Sequence, residues 1–111
     1  MFKLINKKEN IDTRTKCNIR DADSTLILVP RLPLSGNIKD GTLLTIQTVE
    51  IQKKPYLIVD LSLSEHGNIK TIICWLKHYH INILNVAGPR ESTCPGIYQS
   101  SFELLQKILA S

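Results

Sequence analysis

Three short aliphatic runs constrain this chain more than any other feature. The first, Ser24-Thr25-Leu26-Ile27-Leu28-Val29, is apolar on both faces, so as a strand it must be covered by helices above and below. Pro55-Tyr56-Leu57-Ile58-Val59-Asp60 and Ile81-Asn82-Ile83-Leu84-Asn85-Val86 are the second and third predicted strands. A segment with helical spacing follows each of them. The first helix is expected from Thr42, capped by Asp40 or Thr42, with Leu43, Ile46, Val49 and Glu50 in register and Lys53-Lys54-Pro55 closing it. Asn68 is the expected cap of the second, whose inner face reads Ile69, Ile72, Ile73, Leu76 and Tyr79. The third begins near Gly96, with Phe102, Leu105, Ile108 and Leu109 inward. Strand and helix in strict alternation predict an α/β fold, a parallel sheet with right-handed crossover helices.

Two consequences concern function. The connections after Val29 and Val86 leave the carboxyl ends of strands and so share one edge of the sheet, where α/β proteins bind ligands. Each then feeds a helix N-terminus, whose unpaired N–H groups and dipole attract anions. Ser35-Gly36 and Asp40-Gly41-Thr42 in the first connection suit close approach to an oxyanion, although Gly before a helix is often turn chemistry alone. The second connection holds Gly88-Pro89-Arg90-Glu91-Ser92-Thr93-Cys94-Pro95-Gly96. Arg90 suits bidentate recognition of phosphate or carboxylate. Glu91 has three readings: contact to a ribose hydroxyl, general base, or a structural pair with Arg90.

Composition narrows the setting. The 111 residues, 42% of them hydrophobic, suffice for one core and exclude a two-lobed enzyme. Three cysteines do not make a disulfide scaffold, and no apolar run reaches the roughly 18 residues that span a bilayer. The early charges in Met1-Phe2-Lys3-Leu4-Ile5-Asn6-Lys7-Lys8 do not fit a secretory leader, so a cytoplasmic location is expected. The net charge of +4 resides wholly in residues 1–20, with six bases against two acids. We read 1–20 as a basic N-terminal arm and 21–111 as the α/β domain. No aromatic is interleaved among those bases for stacking, so nucleic acid is not the expected partner.

The remaining reactive side chains read as structural. His78-Tyr79-His80 ends a crossover helix away from both connections and has no matching ligands, so no metal is expected. Cys74 is expected to pack as a small hydrophobe, and Cys94 has no His or second Cys beside it. Asp21 and Asp23 enter the opposite, amino edge, where capping and surface pairing are the expected uses. No nucleophile, base and orienter can be assembled, so binding rather than catalysis is expected.

The run from Thr13 to Leu28, then Leu34-Ser35-Gly36, Gly41-Thr42, Lys54 to Leu61, and above all Leu84 through Tyr98, resembles the molybdenum carrier family over about residues 11 to 110. That family is Rossmann-like and related to the lysine decarboxylase-like superfamily, which includes the cytokinin-activating phosphoribohydrolases. The resemblance implies ligand contacts from Ser35, Gly36, Gly41, Thr42, Asn85, Gly88, Arg90, Glu91 and Ser92. The ligand it implies is a nucleotide, phosphate or molybdate, held without evident catalytic machinery.

The departures bear on function as well. The family's opening strand and its Gly-Gly-Gln-Thr-Gly-Val-Asp-Arg loop have no counterpart, so the chain reads as an N-terminally truncated member lacking the first βαβ portion. The family's compact Ser-Gly-Gly-Thr is stretched here to residues 35–42, and Leu43-Leu44-Thr45 stand where the phosphoribohydrolases place a catalytic Glu. Loss of a strand exposes an edge, for which self-association is the expected cover and Phe2-Lys3-Leu4-Ile5 a candidate added strand. Two other readings stand beside anion binding: a degenerate remnant kept as a structural or interaction protein, and an enzyme acting on a nucleotide-linked substrate.

Overall fold

A computed structural model describes residues 3–5, 12–34, 36–89 and 94–110. In chain order the elements are β1 (Lys3–Ile5), α1 (Asp12–Asp21), β2 (Ser24–Val29), α2 (Gly36–Ile51), β3 (Tyr56–Asp60), α3 (Glu65–His78), β4 (Ile83–Ala87) and α4 (Ile97–Leu109). The strands form one parallel sheet in the order β1-β4-β2-β3. The expected added strand near the N-terminus is β1, paired with β4 through Lys3 to Ile83 and Ile5 to Asn85.

All six residues of β2 are buried, as its two-sided apolar pattern requires. On one face Leu26 and Leu28 join Val59, Leu84 and Val86 beneath Ile72 of α3 and Leu104, Leu105 and Ile108 of α4. On the other face α1 and α2 cover the sheet, burying Ile19, Ala22 and Val49. Each fully buried aliphatic side chain contributes about 1.5–3 kcal/mol, so these two layers dominate the stability.

The helices depart from expectation in instructive ways. α1 crosses the anticipated arm boundary at residue 20, and its Ile19 is fully buried. Its end is held from a distance: Lys54 Nζ donates to the carbonyls of Ile19, Arg20 and Ala22 at 2.9, 2.5 and 2.6 Å. A cation on the last carbonyls of a helix satisfies orphan acceptors and opposes the negative end of the dipole. Asp23 pins the same amino edge, accepting the N–H groups of Asn82 and Ile83 at 2.8 Å. Those two bonds, Ile83 first, hold its carboxyl below the usual carboxylate range. Asp21 instead pairs with Arg20 at the surface.

α2 begins at Gly36, not near Thr42. Its buried side is Thr42, Thr45, Thr48 and Val49, whereas Leu43, expected inward, is 42% exposed. The hydroxyls of Thr45 and Thr48 donate to the carbonyls of Gly41 and Leu44 one turn back, which lets threonines face a core. In α3 the cap is Ser64, whose hydroxyl accepts Gly67 N–H, and Asn68 lies inside the first turn. Ile72 is buried with Ile69, Ile73 and Leu76 packed around it, but Tyr79 is half exposed and Cys74 is exposed. α4 follows Gly96, as expected, in the left-handed conformation at φ 90°. Its inner face is Ile97, Leu104, Leu105 and Ile108, leaving Phe102 and Leu109 outside. Apolar residues run around more than half of this helix, so sequence spacing permits two phases, and the fit over Leu84 and Val86 selects one.

The path of the chain sets the geometry of any site. From β2 the chain steps through α2 to β3 on one side. It then returns through α3, across β2, to β4 on the other side. Right-handed crossovers in opposite directions place their helices on opposite faces. Adjacent strands β2 and β4 therefore send their carboxyl-end connections to opposite faces of the sheet.

Candidate functional site at the carboxyl edge between β2 and β4

Where neighbouring parallel strands part in this way, a crevice opens outside their carboxyl ends. Here β2 runs beyond β4, since Ile27 pairs with Ala87. Gly88 then passes the β2 backbone so closely that a Cβ on it would lie 2.8 Å from the Leu28 carbonyl oxygen. A glycine is required there for steric reasons alone. After β2, Gly36 opens α2, exposed, with no group from elsewhere in the fold within 4 Å of where a Cβ would be. The first N–H groups of α2, like those of any helix, have no acceptor within the helix.

The expected contacts divide into three sets. Gly36 and Gly88 lie at the carboxyl edge, on its two sides. Gly41 and Thr42 do not start the helix, which corrects the anticipated anion-facing position. Thr42 is six residues beyond Gly36, about 9 Å along the axis, and it is buried. Gly41 is exposed on the second turn. Asn85 sits mid-strand and buried, donating from Nδ2 to Thr25 Oγ1 at 3.3 Å across the sheet. Ser35, Arg90, Glu91 and Ser92 lie outside the described residues.

One residue at this edge was missed in the sequence. Asp60 ends β3 and is buried to 9% exposure. Its Oδ1 accepts Ser62 Oγ at 2.6 Å and Ser62 N–H at 2.8 Å, while Oδ2 accepts Leu32 N–H at 3.1 Å. Its carbonyl accepts Asn68 Nδ2 at 3.0 Å. The Ser62 hydroxyl above all, then the Ser62 and Leu32 amides and the Arg31 charge, hold the carboxyl below its ordinary range against the opposing effect of burial. The signal that was available is an Asp closing an apolar strand two residues before a Ser, the pattern of a side-chain turn.

Other groups stand apart. A cleft of about 140 Å³ between α3 and α4 is lined by Leu61, Glu65, Asn68, Ser100, Glu103 and Leu104, and Glu65 is already paired with Lys107. Among the described residues no three His, Cys, Asp or Glu side chains cluster as metal ligands. None of the described helices is long and apolar enough to cross a membrane.

With this geometry in hand, the comparisons assign the lineage. The model of the circularly permutated YpsA SLOG family matches residues 2–109. The chain belongs to that family. It is also similar to the putative molybdenum carrier protein of Syntrophus aciditrophicus SB, whose crystal structure superposes with a TM-score of 0.79 at 38% identity. The match covers 90% of this chain and 61% of that one, so this chain spans less than two thirds of that protein's length. No curated protein matches. The permutated order agrees with the sheet. β1, first in the chain, lies parallel beside β4, where a β-α-β unit places the strand that follows α4.

The close approach at Gly88 yields a paired prediction. Gly88→Ala lowers stability by about 1–3 kcal/mol, because backbone rather than a movable side chain is in the way. Gly41→Ala, in open space inside a helix, raises it by about 0.5–1 kcal/mol. Denaturant midpoints of the two variants check this, and equal midpoints contradict the crowding at Leu28.

Proposed function

We propose that this protein binds a nucleotide or a small oxyanion, phosphate or molybdate, at the carboxyl edge between β2 and β4. The observation that carries this reading is the divergence of these two adjacent strands' connections, with the start of α2 at Gly36 opening on the crevice. Tetrahedral oxyanions share one chemistry of recognition: amide N–H donors at a helix start and a guanidinium fork. In this proposal Ser35, Gly36 and Gly88 frame the anion, Arg90 supplies the charge, and Ser92 adds a hydroxyl. Glu91 orients Arg90 or takes a sugar hydroxyl. Gly41, Thr42 and Asn85 act from behind, as parts of the helix and sheet that hold the edge in place. The reading is of a binding protein, consistent with the name carried by the Syntrophus protein.

A second reading has its own observation. Thr42 and Asn85, two of the positions implied as contacts, are spent on packing and on a bond to Thr25. A remnant retained for structure or for protein interaction is the function that such a change favours. Thermal shift against nucleotides, phosphate, molybdate and tungstate separates the readings. A ligand at a hundred times its Kd adds about 2.7 kcal/mol of stability, and Arg90→Ala abolishes the shift if the binding reading holds. No shift with any of them supports the remnant, and product from a nucleotide monophosphate supports an enzyme.

We propose in addition that the chain self-associates. Phe102 and Leu109 are 57% and 42% exposed on α4, and among the described residues nothing pairs with the outer edge of β3. Light scattering at micromolar concentration is expected to give at least twice 12.6 kDa, reduced by Phe102→Ser; a folded monomer contradicts this.

A further inference from the structure

We infer that Asp60 is the positioning residue of this edge, holding the β2–α2 connection in the shape that presents the start of α2; the inference rests on the anion-binding reading above. The side chain of Asp60 shares a sheet face with Val29, its register partner, and therefore points toward the layer of α2. From there one carboxylate reaches two connections. Oδ2 takes Leu32 N–H, four residues before Gly36, and Oδ1 takes both donors of Ser62 after β3. The Asp60 carbonyl meanwhile holds Asn68 in the first turn of α3.

Among the described residues, the β2–α2 connection has few backbone donors with which to be fixed. Pro30 and Pro33 have no N–H, so between Val29 and Ser35 only Arg31, Leu32 and Leu34 carry amides. One of those three is spent on Asp60. At the base of the same connection Leu61 N–H donates to the Val29 carbonyl at 2.8 Å, so the backbone after β3 and the side chain ending it act together. An ionised carboxylate accepts on both oxygens, which two simultaneous connections require. Three donors are directed at it, two on Oδ1 and one on Oδ2. Asp60 touches no ligand in this scheme; it acts through Leu32.

The test compares Asp60→Ala, Asp60→Asn and Ser62→Ala by calorimetric titration with inorganic phosphate and with molybdate, alongside amide hydrogen exchange at Leu32. Asp60→Ala is expected to raise Kd by about tenfold or more, the weight of one hydrogen bond to a charged group, and to speed Leu32 exchange. Asp60→Asn, whose single amide oxygen can serve only one of the two connections while its NH2 faces the donors of the other, recovers at most part of either. Ser62→Ala keeps the bond to Leu32 and stays within about twofold of wild-type affinity, although it loses the hydroxyl bond. A purely structural Asp60 predicts the opposite split, with a lower Tm in Asp60→Ala and Ser62→Ala alike and an unchanged Kd in the folded proteins. That result, or unaltered Leu32 exchange in Asp60→Ala, overturns the inference. Wild-type protein that binds neither anion overturns the binding reading itself, and the Leu32 comparison then separates the two failures.

Discussion

The structure depends on β2 being paired along both edges and covered on both faces. No side of Ser24–Val29 is left for water, so the chain can leave this strand only at its ends. Parallel neighbours cannot be joined by tight hairpins, and each return needs a crossover helix. With β3 on one edge and β4 on the other, the two crossovers run in opposite directions and cover opposite faces. The separation of the connections at the carboxyl edge is a consequence of that burial, as is the close passage of Gly88 beside Leu28. A sheet with β2 at its rim would have neither the crevice nor the need for a glycine.

The amino edge shows the complementary principle, that closure there is electrostatic and directed at the backbone. Lys54 gathers three carbonyls at and just past the end of α1, and Asp23 gathers two amides at the start of β4. Both groups are committed to the backbone, with partners distant in sequence. The charges at the two ends of the sheet thus have different work. At the amino end they finish helices and strands, while at the carboxyl end Asp60 ties connections together and leaves the first amides of α2 unclaimed by it.

The strands were legible because burial writes itself as an uninterrupted aliphatic run, and β2 occupies the span that its pattern implies. Helix phase was less legible. α2 turns threonines inward because their hydroxyls return to carbonyls of their own helix, which no hydrophobic count anticipates. Its start reads locally as loop, since Gly36, Asn37 and Asp40 are turn formers with low helix propensity, yet the helix begins at Gly36. α1 was hidden because Lys54, which finishes it, lies more than thirty residues further on. The same reasoning applies to the site. Gly88 was legible as glycine at a strand end, whereas Asn85 and Thr42 carry a family resemblance that does not reveal which way a side chain faces. Asp60 showed its local bond to Ser62 in the sequence, but not its reach to Leu32, a neighbour in space that the sequence keeps far away.

The most direct test of a binding edge between β2 and β4 is amide NMR during titration with phosphate and molybdate. The predicted result is a set of perturbed amides confined to residues 31–36 and 87–96, on both sides of the diverging connections. Perturbations centred instead on Asp23, Lys54 and Asn82 at the amino end, or on the α3–α4 cleft around Glu65 and Glu103, would contradict it.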